Sequence, residues 1–247
     1  MNLRRLAVLA VLATCAQAAL AAPTATELAT RMREARLTPG AEARVQAVTV
    51  APDGQRSEPV KLAVVGQSDA ARRRLLLRGI APESIHGEIR LAEYRAGCVR
   101  AVDGKGSADP FAPLFGTGLV AWDMLAPWWD WPRQSLAGND RVAGRACTLV
   151  RSRNDDKDAP IREVLSCVDA DAGLALRTQL YDGKGAAVRS IAVVTTLRKE
   201  SGLLAAKKVS IAASGEITEV ETYSGDEHYD VPADAFAKLE GQPAACR

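Results

Sequence analysis

Residues 171–185, DAGLALRTQLYDGKG, decide the fold. Leu174, Leu176, Thr178 and Leu180 alternate with polar Arg177 and Gln179. A period of two puts the first set on one face of a β-strand and the second on the other. Asp182-Gly183 follows at once. An Asp-Gly pair tolerates the positive φ that a tight hairpin needs, so the strand turns straight back on an antiparallel partner.

The same pattern extends in both directions. Downstream lie Ala187–Thr196, Leu203–Ala212 and Glu216–Tyr223; upstream lie Arg145–Ser152 and Ile161–Val168. Earlier still come Ala43–Val50, Val60–Gly66, Arg73–Arg78, Glu88–Tyr94 and Cys98–Val102, with turns at Asp53-Gly54 and Asp103-Gly104. No helix separates these short segments. The expected fold is therefore mainly β with a few helices (α+β), an antiparallel meander of about ten or eleven strands. A sheet of that size curls into a barrel or a partial barrel. Two helices flank it. Thr24–Arg36 places Leu28, Met32 and Ala35 on one side, with Thr24 or Thr26 as the cap. Pro232–Leu239 reads as a short helix with proline in its first turn.

One segment breaks the meander. Residues 109–133, DPFAPLFGTGLVAWDMLAPWWDWPR, hold all four tryptophans of the chain and two of its three phenylalanines. Thr117–Leu125 is helix-like, with Leu119, Trp122 and Leu125 on one side, and Pro127 ends it. The segment reads either as a plug filling the open side of the sheet or as a movable lid over an apolar cavity. The side chains of this candidate ligand-cavity or lid are Phe111, Phe115, Leu119, Trp122, Leu125, Trp128, Trp129 and Trp131. Three tryptophans within four residues cannot all point inward from one regular element, so at least one belongs at a rim. An exposed tryptophan surface for a partner protein is the alternative.

The N-terminus carries an address. Arg4 and Arg5 precede the apolar run Leu6–Ala13, and Ala19-Leu20-Ala21 forms a small-x-small cleavage site. Residues 1–21 thus read as a signal peptide cleaved near Ala21, which points to the periplasm, with acylation at Cys15 as the alternative. The run is well short of the ~20 residues that span a bilayer. The whole chain has formal charge +2, and Arg4 and Arg5 account for both. A neutral mature protein lacks the basic excess of a nucleic-acid binder. The run Arg72–Arg74 reads as a solvated strand edge.

Four cysteines remain after the signal: Cys98, Cys147, Cys167 and Cys246. An even number in an exported chain suggests two disulfides. A hairpin centred on Lys157 sets position 147 opposite position 167, close enough to bridge. Cys98 then pairs with Cys246 by elimination. There is no Cys-x-x-Cys redox spacing, and the two histidines, His86 and His228, are not at zinc-ligand spacing from a cysteine. Nucleophile elbows, metalloprotease helices and phosphate loops are also missing. The sequence therefore predicts no enzyme, no metal and no cofactor.

Five stretches carry a family resemblance. The helix Thr24–Arg36 precedes the first strand. Pro82–Leu91 (PESIHGEIRL) looks like a proline-to-glycine strand connection. Leu114–Leu125 (LFGTGLVAWDML) is similar to a mid-chain segment that ends in an Asp-Leu-type helix. Gly138–Val150 (GNDRVAGRACTLV) resembles the family's hairpin, and Asp171–Gly185 is the most specific piece. Together they resemble the outer-membrane lipoprotein-sorting proteins, the LolA-like superfamily of periplasmic lipid carriers. The resemblance implies one domain over residues 22–247, a half-open barrel closed by helices, and an apolar cavity. It implies a monomeric carrier of lipid acyl chains or lipoproteins, with envelope proteins as further partners.

Overall fold

The computed structural model describes residues 22–199, 202 and 204–240. The expected signal with Cys15 and the tail with Cys246 lie outside the described residues.

Thirteen strands among the described residues form one antiparallel sheet: β1 (Thr38–Val50), β2 (Val60–Ser68), β3 (Arg72–Ala81), β4 (Ile89–Arg95), β5 (Cys98–Asp103), β6 (Gly106–Ala108), β7 (Arg133–Val142), β8 (Arg145–Arg153), β9 (Glu163–Asp169), β10 (Leu174–Tyr181), β11 (Ala187–Arg198), β12 (Leu204–Ala213) and β13 (Glu216–Asp226). Their order is β6-β5-β4-β3-β2-β1-β13-β12-β11-β10-β9-β8-β7. Every neighbour pair is consecutive in sequence except β1 and β13. The sheet is not closed. Its two edges, β6 and β7, are consecutive in the chain, so the link between them, residues 109–132, spans the open seam.

The count exceeds the expected ten or eleven because two strands carry no pattern. Only three residues long, β6 completes the turn after Asp103. The edge strand β7 is mostly exposed, so neither face imposes an apolar alternation. Its pairing also shifts between Leu136 and Asn139, where Gly138 has φ 111°. Such a bulge blunts an edge that would otherwise template a foreign strand.

The alternation in β10 holds only in part. A register shift between Ala175 and Arg177 against β9 breaks the period. Leu180 joins the main core, whereas Leu174 and Leu176 pack around Cys147 and Cys167 on a separate cluster. The structure bonds Cys147 to Cys167, with Cα atoms 5.3 Å apart. The expected register is off by two residues, however: Leu149, not Cys147, faces Cys167, and the pair is diagonal. Cys98 is itself disulfide-bonded.

The two faces of the sheet hold different cores. Leu77 belongs to the main cluster with Leu62, Val99, Val150 and Val164; its neighbour Leu76 packs with Leu91, Phe236 and Leu239 on the outer face. Helix α1 (Ala25–Glu34) covers part of the inner face with Leu28 and Met32. Its start is a capping box. The Thr24 hydroxyl accepts from the Glu27 N–H at 3.2 Å, and the Glu27 carboxylate accepts from the Thr24 N–H at 2.7 Å. Two expected helices are shorter than the sequence suggests. The helix in the seam, α2, spans only Ala121–Leu125, because residues 117–120 spend their backbone groups on turns and on the sheet. At the C-terminus α3 spans Ala237–Glu240.

Candidate functional site

The insert 109–132 enters the inner face and fills it. Leu114, Phe115, Leu119, Trp122, Leu125, Trp128 and Trp129 are buried in the main core, and Phe111 and Trp131 are half-buried against it. Trp122 is the hub. Its ring lies 5.1 Å from Phe111, 5.3 Å from Trp128 and 6.2 Å from Trp131. Edge and offset contacts at these distances add to simple area burial. The segment is not one regular element. Ala126 takes the left-handed conformation with φ 47°, and a 3₁₀ turn over Pro127–Asp130 follows. That kink lets both Trp128 and Trp129 point inward and leaves Trp131 at the rim. A surface made of exposed tryptophans is therefore not what the structure presents; of the four, only Trp131 reaches the rim.

An irregular segment must find partners for its backbone polar groups outside itself. Long polar side chains of the sheet and of the turn after α1 supply them. Arg189 of β11 donates to the Asp123 carboxylate and to the Gly118 carbonyl. Arg36 donates to the Met124 carbonyl, and Arg73 to the Leu125 carbonyl at 3.0 Å. Arg73 also reaches Asp130 at 2.6 Å, with Arg33 at 3.6 Å from the same carboxylate. On the far side, Gln134 donates to the carbonyls of Trp128 and Trp131, at 3.0 and 2.9 Å, and Ser152 holds the Gln134 side-chain oxygen at 2.7 Å. Finally, the Gly118 N–H donates to the Thr218 hydroxyl at 2.8 Å. Only glycine fits there, since a Cβ at 118 would meet that hydroxyl at 2.5 Å.

Burial shapes the charges of this clasp. Desolvation raises the Asp123 carboxyl from 3.8 to about 6, against the opposing pull of Arg189. Desolvation, with help from neighbouring Arg73, lowers Arg36 to about 10, still protonated at neutral pH. The run Arg72–Arg74 is thus not simply a solvated edge: the Arg73 side chain is only 11% exposed and grips the insert. Its guanidinium lies 4.2 Å from the centre of the Tyr94 ring as well.

Beside the insert, at the seam, opens a cleft of about 590 Å³. Tyr94, Phe111, Trp122 and Trp131 line one part of it. Asp130 and the β8–β9 loop residues Asn154, Asp156 and Asp158 line another. The loop is shaped by Asx turns: Asn154 caps the Asp156 N–H at 3.0 Å, and Asp156 caps the Asp158 N–H at 2.9 Å.

The fold as a whole recurs in solved structures, and the likeness is one of fold. The chain is similar to a domain from Vibrio parahaemolyticus described as outer membrane lipoprotein-sorting, with a TM-score of 0.75 and 14% identity over 87% of this chain and 97% of that one. A LolA superfamily protein from Nitrosomonas europaea matches with a TM-score of 0.69 and 15% identity, over 87% and 98%. A DUF1329 family protein from Desulfovibrio piger gives 0.74 and 16%, over 89% and 98%. No protein-family model matches the sequence. No curated protein matches it either.

The eight side chains singled out in the sequence do meet at one place. What sequence reasoning missed is their polar setting. Arg36, Gln134 and Arg189 carry no local signal, and Arg73 stands out only as part of the basic run Arg72–Arg74.

Proposed function

We propose that the protein is a non-catalytic carrier in the periplasm, freed by cleavage near Ala21, and that it binds lipid acyl chains or lipoproteins between the inner face of the sheet and the insert. One observation carries this reading. The inner face of an unclosed sheet is apolar, and it is covered by a tethered segment of large apolar side chains instead of by strand pairing. Cargo with the same chemistry competes for the same surface. The fold shared with a lipoprotein-sorting domain supports the reading. Residues 22–247 act as one monomeric domain in this proposal, with membrane proteins of the envelope as donors and acceptors.

Native mass spectrometry of protein purified from a Gram-negative periplasm tests it. Retained lipid is the expected result, together with a change in tryptophan emission when dodecanoate is added, because every tryptophan lies in the insert. Absence of both effects would sink the proposal.

A further inference from the structure

We infer that the seam cleft is a binding site for an organic cation, an ammonium or guanidinium group carried on an aromatic or apolar body. This site lies beside the surface assigned to acyl chains and does not depend on that assignment.

Three features point to this ligand class. The first is size: about 590 Å³ lies within the ~300–1,000 Å³ range of small-molecule sites. The second is charge. Asp130, Asp156 and Asp158 line the cleft, and among the described residues no lysine or arginine does. Arg73 and Arg33 already neutralise Asp130. Asp156 and Asp158 form no ion pair among the described residues; Lys157, which stands between them in the chain, and Asp155, which pairs with Arg133 at 2.6 Å, both stay outside the lining. The cleft therefore has two exposed carboxylates without an ion-pair partner at its mouth, while the adjacent Lys157 does not line it. The third is its wall. The Phe111–Trp122 stack and the half-buried Trp131 are packed aromatic rings, whose negative faces attract cations. The chain itself shows this combination at work, since the Arg73 guanidinium is held between the Tyr94 ring and the Asp130 carboxylate. An anion would meet two bare carboxylates. A neutral apolar ligand would draw nothing from these two exposed carboxylates.

The shared chemistry has two sources: a free amine, or a lysine or arginine side chain of a polypeptide. Calorimetric titration of the mature protein separates them with three probes. Phenethylammonium represents the free amine, acetyl-Phe-Arg-amide the polypeptide, and hydrocinnamate is the anionic control with the same ring. At least one cationic probe is expected to bind, with affinity falling as salt is raised, and hydrocinnamate is expected not to bind. The tighter of the two cations identifies the source. The double variant Asp156→Asn/Asp158→Asn keeps both turn-capping carbonyls and removes both charges. It should weaken cation binding about tenfold, with thermal stability and dodecanoate binding unchanged. Trp131→Leu removes one aromatic wall and should weaken the same probe. Equal binding of cation and anion, no binding of either cation, or a double variant that binds as the parent does would each overturn the inference. A loss of dodecanoate binding alone would strike the carrier reading and leave this one standing.

Discussion

Replacing Asp123 by asparagine tests how the insert is held. The folded protein holds the Asp123 carboxyl at about 6 instead of 3.8, chiefly through burial. It therefore binds that proton more tightly than the unfolded chain does. The stability linked to this group is complete below pH 3.8 and is lost as pH rises through about 6. A gap of about two pH units corresponds to about 3 kcal/mol in full, of which about 2 kcal/mol falls between pH 4.5 and 7. Asparagine cannot ionise, but its amide oxygen still accepts from Arg189. Between pH 4.5 and 7 the parent should thus lose about 2 kcal/mol relative to Asp123→Asn. Other carboxylates titrate alike in both proteins and cancel in the difference. Urea unfolding at a series of pH values provides the measurement. Tryptophan emission follows the insert, since all four tryptophans lie there, and far-ultraviolet circular dichroism follows the sheet. Parallel stability curves for the two proteins, or a parent that gains on the variant as pH rises, would refute the assignment of Asp123 as a desolvated carboxylate.

Gly118→Ala should push the insert off Thr218, at a cost of about 1–3 kcal/mol, seen as a red shift in tryptophan emission with the sheet signal kept. Gln134→Leu removes the donor shared by Trp128 and Trp131 and leaves two carbonyls unpaired, so stability should fall by about 1–3 kcal/mol and acrylamide should quench emission more strongly. Non-reducing peptide mapping should recover Cys147 linked to Cys167. The double variant Cys147→Ala/Cys167→Ala should lose about 3 kcal/mol, the value for a loop of this order of length. A Cys98–Cys147 link would contradict the structure.

The legible parts of this chain were those where one face is apolar and the other wet. All eleven strands with such a pattern, or with a bounding Asp-Gly turn, exist in the structure. The missing two, β6 and β7, are edges, and an edge strand exposed on both faces has no period to read. The diagonal disulfide shows a second limit. A hairpin's register depends on which loop residues turn, and the polar stretch after Asn154 offered several equal centres. The insert was found by composition alone, because tryptophans clustered in a β-meander are conspicuous. Its clasp was not found. Arg36, Arg73 and Arg189 act on carbonyls that regular structure would have satisfied, and which carbonyls lack partners depends on where the helix actually ends. The sequence suggests a helix from Thr117, yet it begins only at Ala121, and the Gly118 carbonyl becomes a ligand for Arg189 instead.

Why the barrel stays open follows from the same geometry. Closure needs β6 to pair with β7, but β6 has three residues and β7 ten, and the chain between them carries its own apolar load into the gap. An empty inner face would leave Leu62, Val150 and Leu180 in water, so something must cover it. Fully burying one large apolar side chain is worth about 1.5–3 kcal/mol, which puts the seven buried leucine, phenylalanine and tryptophan side chains of the insert together at roughly 10–21 kcal/mol. At about 0.8 kcal/mol per buried methylene, a sixteen-carbon acyl chain is worth about 12 kcal/mol before the costs of ordering it. The two terms are comparable. Single-chain cargo would meet a nearly balanced competition with the insert, which the polar clasp tips toward the filled state. Cargo with two or three chains would win it. On the carrier proposal, single-chain lipids such as dodecanoate should bind weakly and exchange freely while multi-chain lipids are retained through purification, and a retention series over one, two and three acyl chains decides whether the insert is a competitor for cargo or a permanent part of the core.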